Sequence, residues 1–206
     1  MKLLHVNAAP RKELSRTLRV SSAYLDSLQS QHPTMEVKHL NLFEMNLPEI
    51  TGMDANSLLS VVQGGQLSEE AQKSREASLA LAHEFLDYDL ILVSSPMWNF
   101  SIPYKLKQYI DLIMQPGILF TYTEKGPQGL ATGKKMIIIT SRGSDYSPGG
   151  QMADYDFQAP YLRAIFGLAG IYDITFAHAQ PMDWGPEMME NAIKKAIQDL
   201  SVISIA

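Results

Sequence analysis

Four short aliphatic runs constrain the fold of this chain more strongly than any other feature of its sequence. Each run is almost continuously apolar and is bounded by turn-forming residues, a pattern typical of strands that are buried on both faces of a parallel sheet. A fifth, weaker run predicts one further strand. The strong runs are Leu3–Val6, Leu90–Val93, Met136–Thr140 and Ile171–Phe176, and the weak run is Met35–Leu40.

Helical patterns fill the segments between and after these runs. The resulting order of strands and helices predicts a doubly wound α/β fold, in which a five-stranded parallel sheet carries helices on both faces. No stretch has the composition of a linker, so residues 1–206 are expected to form a single domain. The predicted helices are Ser15–Gln29, Ser68–Leu86, Pro103–Met114, Met152–Leu168 and Pro186–Leu200.

Local patterns refine two of these helices. In the first helix, the spacing of Leu18, Ser22, Leu25 and Leu28 predicts that these residues lie near one face. In the third helix, Pro103 is expected at the first helical position, where its missing N–H group has no cost.

Two longer segments fit neither a strand nor a helix. Residues 41–65 are irregular and are expected to form an excursion beside the functional site. Gln115–Lys134 is too long for a minimal connection between a helix and a strand. It contains an aromatic, strand-like piece at Ile118–Thr123, which is followed by the turn-rich stretch Glu124–Gly133.

Composition excludes several kinds of chemistry. The chain has no cysteine, which excludes disulfides, thiolate nucleophiles and cysteine-based metal sites, and its five histidines lack metal-ligand spacing. The net charge is −5, from 17 basic and 22 acidic residues without a basic run, which argues against nucleic acid and anionic membranes as partners. Redox chemistry would therefore require a bound cofactor.

The distribution of apolar residues bears on location. No apolar run approaches the roughly 18 residues that a membrane-spanning helix needs. The chain begins with a strand-like run and lacks the apolar core of a signal peptide. A cytoplasmic protein without a membrane span is therefore expected.

In an open parallel sheet, ligands bind beyond the carboxyl ends of the strands, where the direction of winding reverses. The first loop at that edge, residues 7–17, places Ser15 and Thr17 around a predicted helix start, where unpaired N–H groups favour an anion. The loop has no glycine, which argues against a dinucleotide or Walker A loop and favours a single phosphate monoester. The alternative is that Ser15 only caps the helix.

The second loop, residues 94–103, combines Met97, Trp98 and Phe100 with Asn99. The apolar side chains suit the faces of a flat ring such as an isoalloxazine, and Asn99 suits its polar rim. The alternative is a hydrophobic turn that packs into the core.

The third loop, residues 140–150, offers Ser141 and backbone amides to the pyrimidine end of a flavin. Gly143 would permit either a close backbone approach or a positive φ. The alternative is a flexible surface turn.

These motifs resemble one known family. Met97–Pro103 resembles the Met-aromatic-Asn-Phe-Ser-Ile-Pro motif of the FMN-dependent NADH-azoreductases, which are flavodoxin-like NADH:quinone oxidoreductases. Phe120–Leu130 and Ser141–Gly143 also resemble family segments, and Pro160–Arg163 with Phe166–Ile171 is similar to the late helix-to-strand segment. The resemblance covers essentially the whole chain.

The resemblance implies a flavodoxin-like fold with non-covalently bound FMN and NADH or NADPH as co-substrate. It further implies a homodimer with a site at each subunit boundary and a ping-pong cycle, in which the nicotinamide reduces FMN and leaves before a quinone or an azo compound enters the same pocket. No general acid or base and no metal ligand is predicted.

Site residues carry over from the family by position. The phosphate, the ring and its other edge would be contacted by Ser15, Arg16, Thr17, Pro96, Met97, Trp98, Asn99, Phe100, Ser141, Arg142, Gly143 and Ser144, and the wall over the flavin would include Phe120 and Tyr122. The last two would otherwise form a buried strand face. Two departures from the family pattern are Ala9, where a serine is common, and Ser144, where a second glycine is usual.

Other readings of the residues stay open. A flavodoxin-type electron carrier would share the fold, and so would a hydrolase or a regulatory domain, although no G-x-S-x-G elbow surrounds Ser94 and Ser95. His5, in a buried strand, is expected to be a hydrogen-bonded core residue. Whether His178 or Tyr146 faces the pocket is left undecided by the sequence.

Overall fold

The computed structural model describes residues 1–49 and 68–205, so most of the excursion predicted over residues 41–65 lies outside the described residues. Five strands form the main sheet and two form a hairpin. The main strands are β1 (Lys2–Asn7), β2 (Glu36–Asn41), β3 (Leu90–Pro96), β6 (Lys135–Ser141) and β7 (Asp173–Ala179), and the hairpin strands are β4 (Phe120–Thr123) and β5 (Gly126–Gly129). The described helices are α1 (Arg16–Gln31), α2 (Glu69–Leu86), α3 (Tyr104–Ile113), α4 (Gln158–Leu168) and α5 (Pro186–Ser201).

The main sheet is parallel throughout and has the strand order β2-β1-β3-β6-β7. The chain starts at β1 near the centre, moves outward to β2 and then returns past β1 to β3. The winding direction therefore reverses between β1 and β3, which is where this class of fold binds its ligands. The predicted doubly wound, flavodoxin-like fold class is confirmed.

The degree of burial explains why some strands had a stronger apolar pattern in the sequence than others. The first six residues of the inner strand β3 and the middle five of β6 are buried, which required the continuous apolar runs. β2 lies at an edge and has one fully buried residue, Leu40, which accounts for its weak pattern.

Two hydrophobic cores lie on opposite faces of the sheet. One contains Phe85 of α2, Ile110 of α3 and Phe166 of α4. The other contains Val20 of α1 and Ile193 of α5. In the described part of the chain, no helix combines the length and apolarity needed to cross a bilayer.

One predicted helical feature was wrong: Pro103 precedes α3 as its N-cap and is not the first helical residue. In α1, Ser22 is exposed, and the buried residues also include Thr17, Val20, Ser21 and Tyr24, because α1 packs against α5 as well as against the sheet.

The long helix predicted from Met152 to Leu168 was also wrong. A short 3-10 turn, Ala153–Tyr155, is followed by a fresh helix start, because the Asp156 carboxylate accepts hydrogen bonds from the amides of Gln158 and Ala159 at 3.0 Å each.

Two strand predictions needed correction. Ile171 lies in the turn before β7, because its amide donates to Phe166 O at 3.0 Å and closes the end of α4. The stretch predicted as turns after Thr123 contains β5, which pairs antiparallel with β4. Gly129 of β5 packs against the backbone of Gly170, which follows α4. A Cβ at Gly129 would lie 2.2 Å from the Gly170 nitrogen, so the hairpin can pack this closely only with glycine at that position.

Candidate functional site

The register of the sheet brings the three predicted loops to one edge. Asn7 of β1 is level with Ser94 of β3, and Pro96 of β3 is level with Ser141 of β6. The loops that follow these strands enclose a cavity of about 240 Å³. Its walls are formed by Ala9, Pro10, Arg11, Ser15, Arg16, Thr17, Pro96, Met97, Trp98, Ser141, Arg142, Gly143, Met182 and Asp183.

Nine of the twelve residues predicted to contact the cofactor line this cavity. They come from all three loops and are Ser15, Arg16, Thr17, Pro96, Met97, Trp98, Ser141, Arg142 and Gly143. The structure thus brings together residues that are more than 120 positions apart in the sequence. Their contacts with a cofactor stay predictions.

The remaining predicted residues lie around the cavity. Asn99 lines an adjacent open groove of about 910 Å³, which shares Trp98 with the cavity. Phe100 packs against another aromatic ring, and Ser144 follows the cavity wall in the third loop. Phe120 and Tyr122 line neither space within one chain.

Hydroxyl and amide groups at the start of α1 form an anion cradle. Ser15 Oγ accepts a hydrogen bond from Leu18 N at 3.2 Å, which confirms Ser15 as an N-cap and leaves its own proton available. Thr17 Oγ1 lies 2.7 Å from Ser141 Oγ, so one of the two hydroxyl protons in that pair remains free. The amides of Arg16 and Thr17 have no hydrogen-bond acceptor among the described residues. These donors point to a phosphate.

An ion pair joins this cradle to the loop after β7, which sequence reasoning missed. Arg16 Nη1 donates to Asp183 Oδ1 at 2.5 Å and to Met182 O at 3.0 Å. The signal that could have revealed Met182 and Asp183 is their place beyond the carboxyl end of the strand that ends at Ala179.

Asp183 also explains Gly143, one of the predicted residues. The positive φ considered for Gly143 is wrong, since Gly143 is not among the residues with positive φ. A Cβ at this position would instead lie 2.5 Å from Asp183 Oδ2, and the Asp183 amide donates to Gly143 O at 3.0 Å. The glycine therefore makes room for a side chain of the protein itself.

The loop after β3 ends in a tight turn with an unusual backbone. Trp98 and Ser101 exchange two backbone hydrogen bonds of 3.0 and 2.9 Å, and the two residues between them have positive φ angles, +46° at Asn99 and +68° at Phe100. Asparagine is well suited to this conformation, but phenylalanine is an outlier there. Trp98 and Phe100 are each 38% exposed at this turn. Large apolar rings that are held out of the core in this way suit contact with a flat ligand or a partner.

Arg142 has an interior role in addition to lining the cavity. Its side chain is almost completely buried, and Nη1 lies 2.9 Å from Asp156 Oδ2 in an ion pair. Its Nε donates to Gln158 Oε1 at 3.1 Å. Burial lowers the pKa of Arg142 from its usual value, while the nearby Asp156 carboxylate acts in the opposite direction.

The two histidines singled out in the sequence are hydrogen-bonded within the sheet. His5 is buried, with Nε2 2.8 Å from Ser94 Oγ, so its predicted role as a core residue is confirmed. His178 Nδ1 lies 2.7 Å from Thr140 Oγ1, and burial, followed by the charge of Arg142, lowers its pKa to about 4. Neither His178 nor Tyr146 lines the cavity; Tyr146 lies under the Arg142 guanidinium, 5.9 Å from ring centre to Cζ.

The donor set suits FMN. FMN carries one phosphate on a short polyol chain that ends in a flat ring with apolar faces and a polar rim. The hydroxyls and amides at Ser15–Thr17 match the phosphate, and the Met97–Trp98 segment supplies apolar surface on the same cavity. The cradle has no glycine-rich turn that would suit a pyrophosphate.

Comparison with known proteins agrees with this geometry. A family model described as a flavodoxin-like fold matches residues 1–203. A protein from Rhizobium meliloti named FMN-dependent NADH:quinone oxidoreductase is 36% identical over 211 residues and covers 100% of both chains. A crystal structure of azoreductase from Bacillus anthracis has a TM-score of 0.89 at 28% identity and covers 98% of this chain and 97% of that one. An FMN-dependent NADH-azoreductase from the same species, solved in complex with FMN, has a TM-score of 0.87 at 29% identity, with 97% of each chain covered. The chain therefore belongs to the flavodoxin-like family that includes the FMN-dependent NADH:quinone oxidoreductases.

Proposed function

We propose that residues 1–206 form one FMN-binding domain that passes two electrons from NADH or NADPH to quinones and azo compounds. The observation that carries the proposal is a single cavity that joins the anion cradle at the start of α1 to the apolar loop after β3. The names of the relatives, which include NADH:quinone oxidoreductases and azoreductases, support the choice of substrates.

The protein's own contribution would be binding and orientation. Ser15 and Thr17 would hold the phosphate, Met97 and Trp98 would lie against the ring, and Asn99 would reach its rim. Bound FMN supplies the carrier of the two electrons.

The phosphate contact can be tested without measuring activity. Thr17 is 1% exposed, so Thr17→Val removes a buried hydroxyl with little change in shape. Hydrogen bonds to charged groups contribute about 1.5–3 kcal/mol, so FMN should bind about 10- to 100-fold more weakly. Riboflavin, which lacks the phosphate, should bind as before, and Thr175→Val in β7 serves as the control. Equal weakening of FMN and riboflavin would place the phosphate elsewhere.

A sequential experiment tests the ping-pong cycle. The FMN-loaded protein is mixed with one equivalent of NADH, freed of nicotinamide by rapid gel filtration, and then mixed with a quinone. Bleaching in the first step and recovery of the flavin colour in the second, without a partner protein, are expected. A flavin that resists both NADH and NADPH but accepts electrons from a protein donor would favour the electron carrier instead.

We also propose a homodimer with a site at each subunit boundary. Exposed aromatic residues lie near the cavity in the chain: Trp98 lines it, Tyr104, 63% exposed, lines the adjacent groove, and Trp184, 50% exposed, follows Asp183 of the cavity wall. Exposed apolar surface of this kind supports an interface. Tyr122 is 73% exposed on the hairpin, and a second chain could bring it over the ring. Sedimentation equilibrium should give twice the chain mass, whereas a monomer at micromolar concentration would remove the shared site. The proposed compartment is the cytoplasm, where NADH and NADPH are available.

A further inference from the structure

Residues 155–158, which precede and begin α4, hold the Met97–Phe100 loop at three points. Gln158 Nε2 donates to Pro96 O at 3.1 Å, immediately before the loop. The Phe157 amide donates to Phe100 O at 3.1 Å. The ring of Tyr155 packs against the ring of Phe100, with 5.2 Å between ring centres. Both ends of the loop are thus fixed to the same short segment.

Gln158 reaches the third loop with its other arm. Its Oε1 accepts the hydrogen bond from Arg142 Nε, at 3.1 Å, and the residue is 0% exposed. One buried amide therefore links the loop after β3 to the loop after β6. Both loops line the cavity, and a backbone hydrogen bond of 2.9 Å from Met97 N to Ser141 O joins them where they leave the sheet. Gln158 adds a side-chain link between them beyond that point.

The backbone of the loop requires such support. Asn99 and Phe100 both have positive φ, a conformation that asparagine tolerates but that strains the backbone at a bulky residue such as Phe100. A strained turn persists only where its surroundings hold it. The hydrogen bond to Pro96 O holds the chain before the turn, and the hydrogen bond to Phe100 O holds the positive-φ residue Phe100 itself. The hydrogen bonds between Trp98 and Ser101 lie within the turn.

We propose that Gln158 is a positioning residue for flavin reduction. It fixes the Met97–Phe100 loop relative to the Ser141–Ser144 loop, and it acts through the Pro96 carbonyl and the Arg142 guanidinium. The inference rests on the proposed seat of the flavin ring against Met97–Phe100. It assigns to Gln158 a role in orienting the ring and leaves phosphate binding to Ser15 and Thr17.

Gln158→Met tests the proposal, because methionine keeps the length of the side chain and removes its hydrogen bonds to Pro96 O and Arg142 Nε. It also removes the longer hydrogen bonds, of 3.4 Å, from Nε2 to Ser95 O and Oγ. In protein saturated with FMN, the rate of flavin reduction at saturating NADH should fall about two- to tenfold, the loss expected for one or two hydrogen bonds. The KM for NADH should change less than twofold, and the shape of the visible flavin band should change. Gln158→Glu keeps the oxygen facing Arg142 and loses the donor to Pro96, so it should also slow reduction.

Two further variants make the outcome decisive. Gln115→Met is the matched control, since Gln115 Nε2 donates to Leu112 O away from both loops, and it should keep the wild-type rate and spectrum. Asn99→Gly tests the seat of the ring and preserves the positive φ. If Asn99→Gly slows reduction but both Gln158 variants reduce at the wild-type rate, Gln158 has no positioning role. If none of the three changes rate or spectrum, the proposed seat is wrong and the inference fails with it.

Discussion

His5 links the buried polar network of the sheet to stability against acid. The side chain is 5% exposed, and its Nδ1 lies 2.9 Å from His39 Nδ1 while Nε2 contacts Ser94. Burial, followed by the neighbouring His39, lowers the pKa of His5 from 6.5 to about 3. Between these values the unfolded chain binds a proton that the folded chain does not. The stabilisation present above pH 6.5 is therefore lost as the pH falls towards 3.

The size of the effect follows from linkage. Each pH unit in that window costs about 1.4 kcal/mol, so lowering the pH from about 7.5 to about 5 should remove about 2 kcal/mol of folding free energy through His5 alone. That is a large share of the roughly 5–15 kcal/mol by which domains are stable. His5→Gln removes the titration but can keep hydrogen bonds to His39 and Ser94.

The assay is urea unfolding of the wild type and His5→Gln at both pH values. The wild type should lose about 2 kcal/mol more than the variant, because all other titrating groups are common to both proteins. His32→Gln, outside this network, is the control and should keep the wild-type difference. Equal losses in the wild type and His5→Gln would refute the reasoning.

Two further predictions follow from packing, and a third follows from the proposed substrate pocket. Gly129→Ala should lower the free energy of unfolding by about 1–3 kcal/mol, because its Cβ would lie 2.2 Å from a backbone nitrogen. Gly167→Ala, in open space on α4, should raise the free energy of unfolding by about 0.5 kcal/mol. The opposite order in thermal or urea unfolding would contradict the packing of the hairpin. Gly143→Ala should lower the free energy of unfolding by about 1 kcal/mol, because its Cβ would meet the Asp183 carboxylate. In a protein that already carries Asp183→Ala, the same substitution should change the free energy of unfolding very little. Equal losses with and without Asp183→Ala would exclude the contact. Phe120→Ala should alter the ratio of kcat/KM between quinones of different size more than it alters FMN affinity, and an unchanged ratio would remove Phe120 from the substrate pocket.

The fold was predictable because burial on both faces of a parallel sheet leaves a strong mark on composition. The runs at Leu3–Val6 and Leu90–Val93 confirm this, since both lie in strands at the predicted positions. Patterns failed where the chain is held by specific polar contacts. The Asp156 carboxylate starts a new helix inside a continuous helical pattern, and no periodicity reveals which amides a carboxylate will cap.

The site divides in the same way. Sequence alone indicated that Ser15, Thr17, Met97 and Ser141 belong to loops at one edge of the sheet, because the strand order of the fold class brings those loops together. The motif Met97–Pro103 and the segment Phe120–Leu130 also showed the resemblance to the family before any distance was known.

Only the tertiary structure decided how the three loops are held. The contacts of Arg16 with Asp183 and of Gln158 with Pro96 and Arg142 join segments that are far apart along the chain. Hydrophobic periodicity is a local signal that is repeated along each strand and helix, and so the sequence by itself determines where most of these elements lie. A hydrogen bond between distant side chains depends on two single residues and on the exact approach of their backbones, which is fixed when the whole sheet and its helices have packed.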